Sequence, residues 1–340
     1  MIDGMDKAPP CPAKSAGQGR ATLESGKGER LGQPPGLSGR PVLIVGFDCP
    51  TCYTCAFMTK TRTHPLVEVF GFPTDNFSDT ASRYRAKKLC PFNNKVPNCT
   101  KDKAADPLGT CSVASGDDGT AITCPIRFRQ HWIIADHGAE FFFPKNAMWT
   151  SLTEVKLKDK HGKAAGNIDL VLVSYDGNGK VLNFGSLEVQ AVYITGNVRK
   201  PFEYYMEDPE AHANMNWKNE QWWPGPDYLS SSRKRLAPQL IFKGGILHSW
   251  GKKTAVALDA ASFAQLPKLK RVPKAEAEIA WLVYGLEPRS GSAGHLQLVR
   301  RDTVYTMRPD APDSAPMVAG EREEEFVNRI EDELDRIAIE

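Results

Sequence analysis

Three acids and an amide in the middle of the chain, Glu154, Asp169, Glu188 and Gln190, have the types and spacing of a metal-dependent hydrolytic centre. Asp169 interrupts an apolar run at 168–175, and Glu188 and Gln190 lie two apart in the return run at 180–194. Between them, Asp176-Gly-Asn-Gly179 is a strong hairpin signal, because Asn-Gly supplies the two positive-φ residues of a tight turn. With Asn178 and Gly179 as a two-residue loop, Gly177 pairs with Lys180 and Asp169 falls directly opposite Glu188. Residues so placed share a sheet face, with Cβ atoms roughly 5 Å apart. Gln190, two residues on, points the same way. A bulge at Phe184-Gly185 would shift that register by one. Two carboxylates this close repel unless a cation lies between them, and a hard divalent ion with oxygen ligands is the natural occupant. The plain alternative is a pair of acids facing water. Glu154 argues against it. It lies in residues 152–158, where Val155 and Leu157 alternate with charged positions, so a third short strand offers a third acid.

The elements that must position these groups are therefore three adjacent strands. That layout resembles the PD-(D/E)xK nucleases, in which an Asp on one strand and an acid-x-Lys on the next bind Mg²⁺ beside the scissile phosphate. Asp169 and Glu188 fill the acid positions, and Gln190 stands where the Lys would be. A lysine is a point charge, whereas a neutral amide can only orient by hydrogen bonding. More of the water activation then falls to the metal.

Eight cysteines form the second constellation: Cys11, Cys49, Cys52, Cys55, Cys90, Cys99, Cys111 and Cys124. The apolar stretch at 41–47 is too short for a secretory core and lacks a basic start and a cleavage site. An intracellular chain rich in cysteine reads as metal-binding rather than disulfide-bonded. The last four lie among Pro, Asn, Asp and Gly, in a segment with too few large apolar residues to hold itself together by burial. Four thiolates around one tetrahedral ion would staple it. Their spacings are loose and match no compact zinc-ribbon pair, so buried free thiols are the competing reading. Cys49, Cys52 and Cys55 have no obvious fourth partner and read as incidental.

The motifs together are similar to the NotI family of type II restriction endonucleases. The resemblance runs from Pro65-Leu-Val-Glu-Val-Phe-Gly71 through Cys90-Pro-Phe92, Cys99, Gly109-Thr-Cys-Ser-Val-Ala-Ser115 and Cys124-Pro-Ile-Arg127. It continues at Glu154, Asp169, Leu187-Glu-Val-Gln190, Thr195-Gly-Asn197 and Ala280-Trp-Leu-Val-Tyr-Gly-Leu-Glu-Pro288, covering roughly residues 62–308. It implies an α/β fold, a mixed β-sheet core flanked by helices, with a small four-cysteine metal-stapled subdomain. It also implies a homodimer that hydrolyses duplex DNA at a GC-rich palindrome, with a cognate methyltransferase protecting the bacterial host in whose cytoplasm it works. By motif position the active-site residues are Glu154, Asp169, Glu188 and Gln190. Asp169, Glu188 and the Val189 carbonyl are expected to hold Mg²⁺, with Gln190 positioning the attacking water. Cys90, Cys99, Cys111 and Cys124 are expected to hold structural iron, with zinc as the alternative.

The expected organisation is a disordered extension over 1–57, a four-cysteine region over 58–130, a catalytic and recognition core over 131–310, and a linker with an acidic amphipathic helix over 311–340. The family-like pattern begins just after Met58, which is the expected biological start. Formal net charge is +2, but the last twenty residues carry −6, leaving about +8 on the rest, which suits a nucleic-acid binder. Recognition is expected after the hairpin, where Arg199, Lys200, Arg233, Lys234, Arg235 and Lys243 could reach phosphates or guanine edges. The last four belong to residues 230–247, a helix opened by capping serines, with Pro238 as a kink or restart and Leu236, Leu240, Ile241 and Leu247 as its apolar face. Trp217, Trp222 and Trp223 read as core or loop anchors. Seven histidines show no HExxH spacing, and His131 and His137 read as structural. A repair nuclease that recognises DNA structure, or a metal-stapled DNA-binding protein without catalysis, are the other classes open; the intact acid set argues against the second.

Overall fold

The computed structural model describes residues 63–339 apart from 104, 117–118, 221, 289–293 and 309–319. The expectations for residues 1–57, with Cys11, Cys49, Cys52, Cys55 and Met58, lie outside the described residues.

β1 (Leu66–Val69) turns back through Phe70-Gly71 into β2 (Phe72–Pro73), and α1 (Asp79–Ala86) follows, capped by the Ser78 hydroxyl. Inside the cysteine-rich stretch, β3 (Asp102–Lys103) and β4 (Asp106–Pro107) make a short hairpin. β5 (Thr110–Ser115) and β6 (Gly119–Ile122) complete a four-stranded sheet of order β2-β1-β5-β6. Two groups quoted as motifs are its anchor. Glu68 on β1 and Arg127, both fully buried, meet through Nε and Nη2 at 3.0–3.1 Å. Arg127 also donates to Leu296 O and Gln130 Oε1 and lies over the Phe92 ring. A buried ion pair holds only when its remaining hydrogen-bonding groups are satisfied, as these are.

A 3₁₀ segment (Pro125–Trp132) leads into α2 (Ile133–Phe142), whose Ile134, Ala135, Gly138, Ala139 and Phe142 fall on one helical face. That face covers a six-stranded mixed sheet. β7 (Trp149–Lys158), β8 (Ala164–Tyr175) and β9 (Val181–Gln190) form an antiparallel meander. The chain then leaves through β10 (Tyr193–Ile194), α3 (Arg199–Glu207) and β11 (Pro226–Asp227). A π-helical segment (Ser230–Leu236) runs into α4 (Ala237–Ser249). β12 (Thr254–Asp259), buried throughout, inserts parallel to β9; α5 (Ala260–Ala264) follows. β13 (Ile279–Glu287) and β14 (Gln297–Thr306) finish the sheet, whose order is β14-β13-β12-β9-β8-β7. α6 (Glu323–Ile339) closes the chain. Thus α2 lies on one face with Leu170, Leu172, Leu187, Ala257 and Leu282. On the other face Ile246, Leu247, Phe326 and Ile330, from α4 and α6, meet Val171, Val173 and Phe184. The expected mixed sheet flanked by helices is the observed architecture.

The hairpin and the helix expected over 230–247 differ locally from expectation. The β8–β9 loop has three residues, not two: Asp176 N donates to Lys180 O, Gly179 sits at φ +82°, and the Asp176 carboxylate accepts from the Asn178 and Lys180 amides. This sets the strand ends one residue out of the expected register, and a bulge beside Tyr175 restores it. Phe184-Gly185 carries no bulge. A Cβ on Gly185 would lie 2.6 Å from the Phe142 ring, so glycine there lets α2 approach the sheet. At the start of that helix the serines do not cap. Ser231 and Ser232 hydroxyls donate back to the Asp227 and Tyr228 carbonyls, while Asp227 Oδ1 accepts from Ser230 N. Pro238 has no N–H to give the preceding turn, and just upstream of it the chain takes the wider i→i+5 pattern, with Ala237 N bonded to Ser232 O.

Candidate active site

Strand register brings three acids into one row. Leu170 pairs with Leu187, so Asp169 stands opposite Glu188; Thr153 pairs with Leu170 and Val155 with Ile168, so Glu154 stands opposite Asp169 from the other side. Their environments differ. Glu188 is 3 % exposed, Asp169 is half-buried, and Glu154 is exposed. Glu154 also sits at φ +58°, in the left-handed region. That kink reverses the pleat, so Leu152 and Leu157, an odd number of residues apart, both reach the same cluster. The Glu154 side chain turns to the rim, with Lys95 Nζ 3.7 Å away.

Asp169 Oδ2 accepts the Val189 amide at 2.8 Å, which ties the acid of β8 across to β9. Burial raises its pKa and Glu154 adds to that, whereas the Val189 amide, Lys243 and Arg129 oppose it. Glu188 is pushed up to about 7, first by burial and further by Asp169, with Lys243 pulling the other way. Lys243 Nζ donates to Glu188 Oε2 at 2.6 Å. The other oxygen, Oε1, is buried and receives no donor, and the neighbour that reaches Glu188 beside Lys243 is the Asp169 carboxylate, an acceptor that raises it. A buried carboxylate oxygen without a donor is costly unless something cationic completes it. Gln190 is buried on the same face, but its amide donates to Ala191 O at 2.7 Å and lines a small cavity with Tyr228, Ser231, Leu236, Leu258 and Ser262.

Among the described residues no group of three or more His, Cys, Asp or Glu is arranged to hold a metal ion. The centre offers two carboxylates. Mg²⁺ is commonly held by one or two, with water completing its shell, so the pair and its orphaned oxygen fit a hard divalent cation.

The sequence matches the family model described as restriction endonuclease NotI over residues 75–298, about two thirds of the chain. The chain belongs to the NotI restriction endonuclease family. No curated protein matches it. The matched span contains all three acids, Gln190, the four described cysteines and α4. The protein is thus an endodeoxyribonuclease of a restriction system, with duplex DNA as its substrate. No helix among the described residues is long and apolar enough to cross a membrane.

The endonuclease's basic residues divide into two groups. Arg233, Lys234 and Arg235 are exposed on the π-helical segment, and Arg235 stacks over the Tyr193 ring at 3.5 Å from its centroid. Lys200 is exposed at the start of α3. Arg199 instead holds Asp102 at 2.6 Å and Asp106 at 2.8 Å, binding α3 to the β3–β4 hairpin. Lys243 is buried, on the opposite side of its helix from the exposed cations. Of the residues set aside as structural, His137 Nδ1 lies 2.9 Å from the Tyr284 hydroxyl, and Trp217 packs in the cluster containing Phe202 and Tyr205. Trp222 is an exposed side chain.

Cys90, Cys99, Cys111 and Cys124 are free thiols, the last three buried. Burial pushes Cys90 up to about 11 and raises Cys99 and Cys111, and in each case neighbouring cysteines add to the rise. The thiols therefore feel one another, though not in a ligating arrangement. Sequence reading missed a residue here. Lys101 is half-buried beside them, its Nζ donating to Thr110 O at 2.6 Å and Thr123 Oγ1 at 3.1 Å. Arg129, facing Asp169 from the 3₁₀ segment, was also missed. The only hint of Lys101 was its place between Cys99 and Cys111; Arg129, five residues after Cys124, carried none.

Proposed function

We propose that the chain is a type II restriction endonuclease that cuts duplex DNA at one specific, GC-rich palindrome with Mg²⁺, leaving 5′-phosphate and 3′-hydroxyl ends. The observation that carries this reading is the paired, buried Asp169 and Glu188 with an unpartnered Oε1, in a chain of the NotI family. Asp169, Glu188 and the Val189 carbonyl would hold the cation. A divalent ion there lowers the pKa of the water it binds and offsets charge on the scissile phosphate. Glu154, at the exposed rim, orients the attacking water from the solvent side, and Gln190 contributes hydrogen bonds once its amide swings from Ala191. Exposed Lys200, Arg233, Lys234 and Arg235 supply phosphate contacts, and arginines among them read guanine edges. Cleaving both strands of a palindrome asks for a symmetric pair of sites, hence a homodimer. Such an enzyme works in the bacterial cytoplasm beside a methyltransferase of the same specificity.

The four cysteines are assigned a structural iron or zinc. Support comes from donor chemistry: four thiols free of disulfides, close enough that neighbouring cysteines raise Cys90, Cys99 and Cys111, with the half-buried ammonium of Lys101 beside them to offset the charge of a metal–tetrathiolate group. Digestion of unmethylated phage DNA tests the whole reading. Discrete fragments that disappear with EDTA, and whose sequenced ends share one palindrome, are expected. A smear, or cutting confined to branched DNA, would replace sequence-specific restriction with an unspecific or structure-specific nuclease.

A further inference from the structure

α4 turns Leu240 and Leu247 into the core, and Lys243 lies on that same stripe, three residues after one and four before the other. At a position where the helix calls for an apolar side chain it carries an ammonium, 6 % exposed as a residue. It donates to Glu188 Oε2 at 2.6 Å and to Asn167 O at 2.7 Å. Packing does not require this. Replacing a buried ion pair with apolar groups of similar volume is commonly neutral or stabilising, so the charge points to a use.

We propose that Lys243 is the cation of the cleavage centre, delivered from helix α4 to Glu188 in place of a lysine on strand β9, where Gln190 stands. The inference rests on the nuclease reading above. Hydrolysis brings a phosphodiester anion up to two carboxylates. The oxygen of the attacking water forms the new bond to phosphorus and gives up one proton; the P–O3′ bond breaks, and its electron pair and a proton end on the 3′ oxygen. Negative charge gathers on phosphate oxygens beside acids already crowded together. A fixed cation at that edge stabilises the arrangement before and during the step. Gln190 cannot provide it, being neutral and turned to Ala191 O. Lys243 acts through Glu188 and is a positioning residue. By fixing Oε2 it holds the carboxylate in one orientation, with Oε1 as the free oxygen. Lys243 and Glu188 lie on different elements, so helix α4 is part of the site's geometry and not merely its cover.

The test compares the full chain with Lys243→Met, Lys243→Gln, Asp169→Ala and the double variant Lys243→Met/Gln190→Lys. Three readouts are taken: single-turnover cleavage at saturating Mg²⁺, Mn²⁺ affinity by calorimetry without DNA, and thermal unfolding. Lys243→Met is expected to cut about 100-fold more slowly, and to bind Mn²⁺ at least as tightly as the wild type because a competing cation is gone. It is expected to melt at a lower temperature without metal, because Glu188 is left buried without its counter-charge, with bound Mn²⁺ restoring part of that loss. The double variant is expected to recover part of the rate. If Lys243→Met does not fold, Lys243→Gln, which keeps hydrogen-bond donors without charge, carries the same expectation. Wild-type cleavage by either single variant overturns the proposal. So does a rate loss that parallels a loss of Mn²⁺ affinity and is not recovered by the double variant, since that marks a purely structural pair. Asp169→Ala separates the two levels. Where the wild type cuts and Asp169→Ala does not, the nuclease reading stands whatever Lys243 does; a wild type that cuts nothing removes both.

Discussion

Glu188 concentrates the chemistry of the molecule into one side chain. Its carboxyl, ordinarily near 4.5, is pushed up to about 7. The folded chain without metal therefore keeps a proton there that the unfolded chain has released. The resulting contribution to stability is fully present below pH 4.5 and is lost as pH rises through about 7. Thermal unfolding in EDTA should thus show stability falling across that window, by on the order of a few kcal/mol. Glu188→Gln should flatten the slope, and Mg²⁺, which favours the carboxylate, should oppose it. A wild-type profile as flat as that of Glu188→Gln would mean the carboxyl is not perturbed. Asp169 and Glu188 could be found in the sequence because strand alternation and one turn fix which residues face each other. Lys243 could not be placed, since its partner lies on another element 55 residues away. The signal in the sequence, a lysine on an apolar helical stripe, reads there as a cation that reaches DNA rather than one that turns inward to the acids.

Elements set how closely these residues meet, and glycine decides one contact. Gly185 lies three residues before Glu188 on β9, under the Phe142 ring of α2. Gly185→Val should cost at least about 1–3 kcal/mol through overpacking and lower cleavage with it, seen as a drop in melting temperature. An unchanged melting temperature would show that α2 can lift away without loss. The three strands of the meander were legible from apolar patterning and turn residues. β12 was not, because a strand buried on both faces has no alternation to read. The hairpin turn was misread by one residue, yet the register at the acids is the expected one, because the bulge beside Tyr175 cancels the longer loop. Glu154 shows the opposite limit. Its position in the row followed from the strand pattern, but its left-handed backbone and outward side chain did not.

At the scale of the whole molecule, the exposed basic segment Arg233 to Arg235 runs directly into α4, the helix that buries Lys243 against Glu188, and the proposed function assigns that segment the DNA contacts. Replacing Arg233, Lys234 and Arg235 by serine should weaken DNA binding in Ca²⁺ and make its dependence on salt shallower. The expected change is about 2–3 units of log–log slope per protomer. An unchanged slope would move the phosphate contacts elsewhere. The acidic C-terminus, legible as an amphipathic helix, docks through Phe326 and Ile330 on Phe184 and Trp250. The most direct measurement of the central claim is the rate of cleavage of unmethylated DNA against Mg²⁺ concentration, for the wild type and Asp169→Ala. The account predicts saturable, EDTA-sensitive cutting by the wild type and none above background by Asp169→Ala, with both binding DNA equally in Ca²⁺. Cutting by Asp169→Ala at the wild-type rate would contradict it.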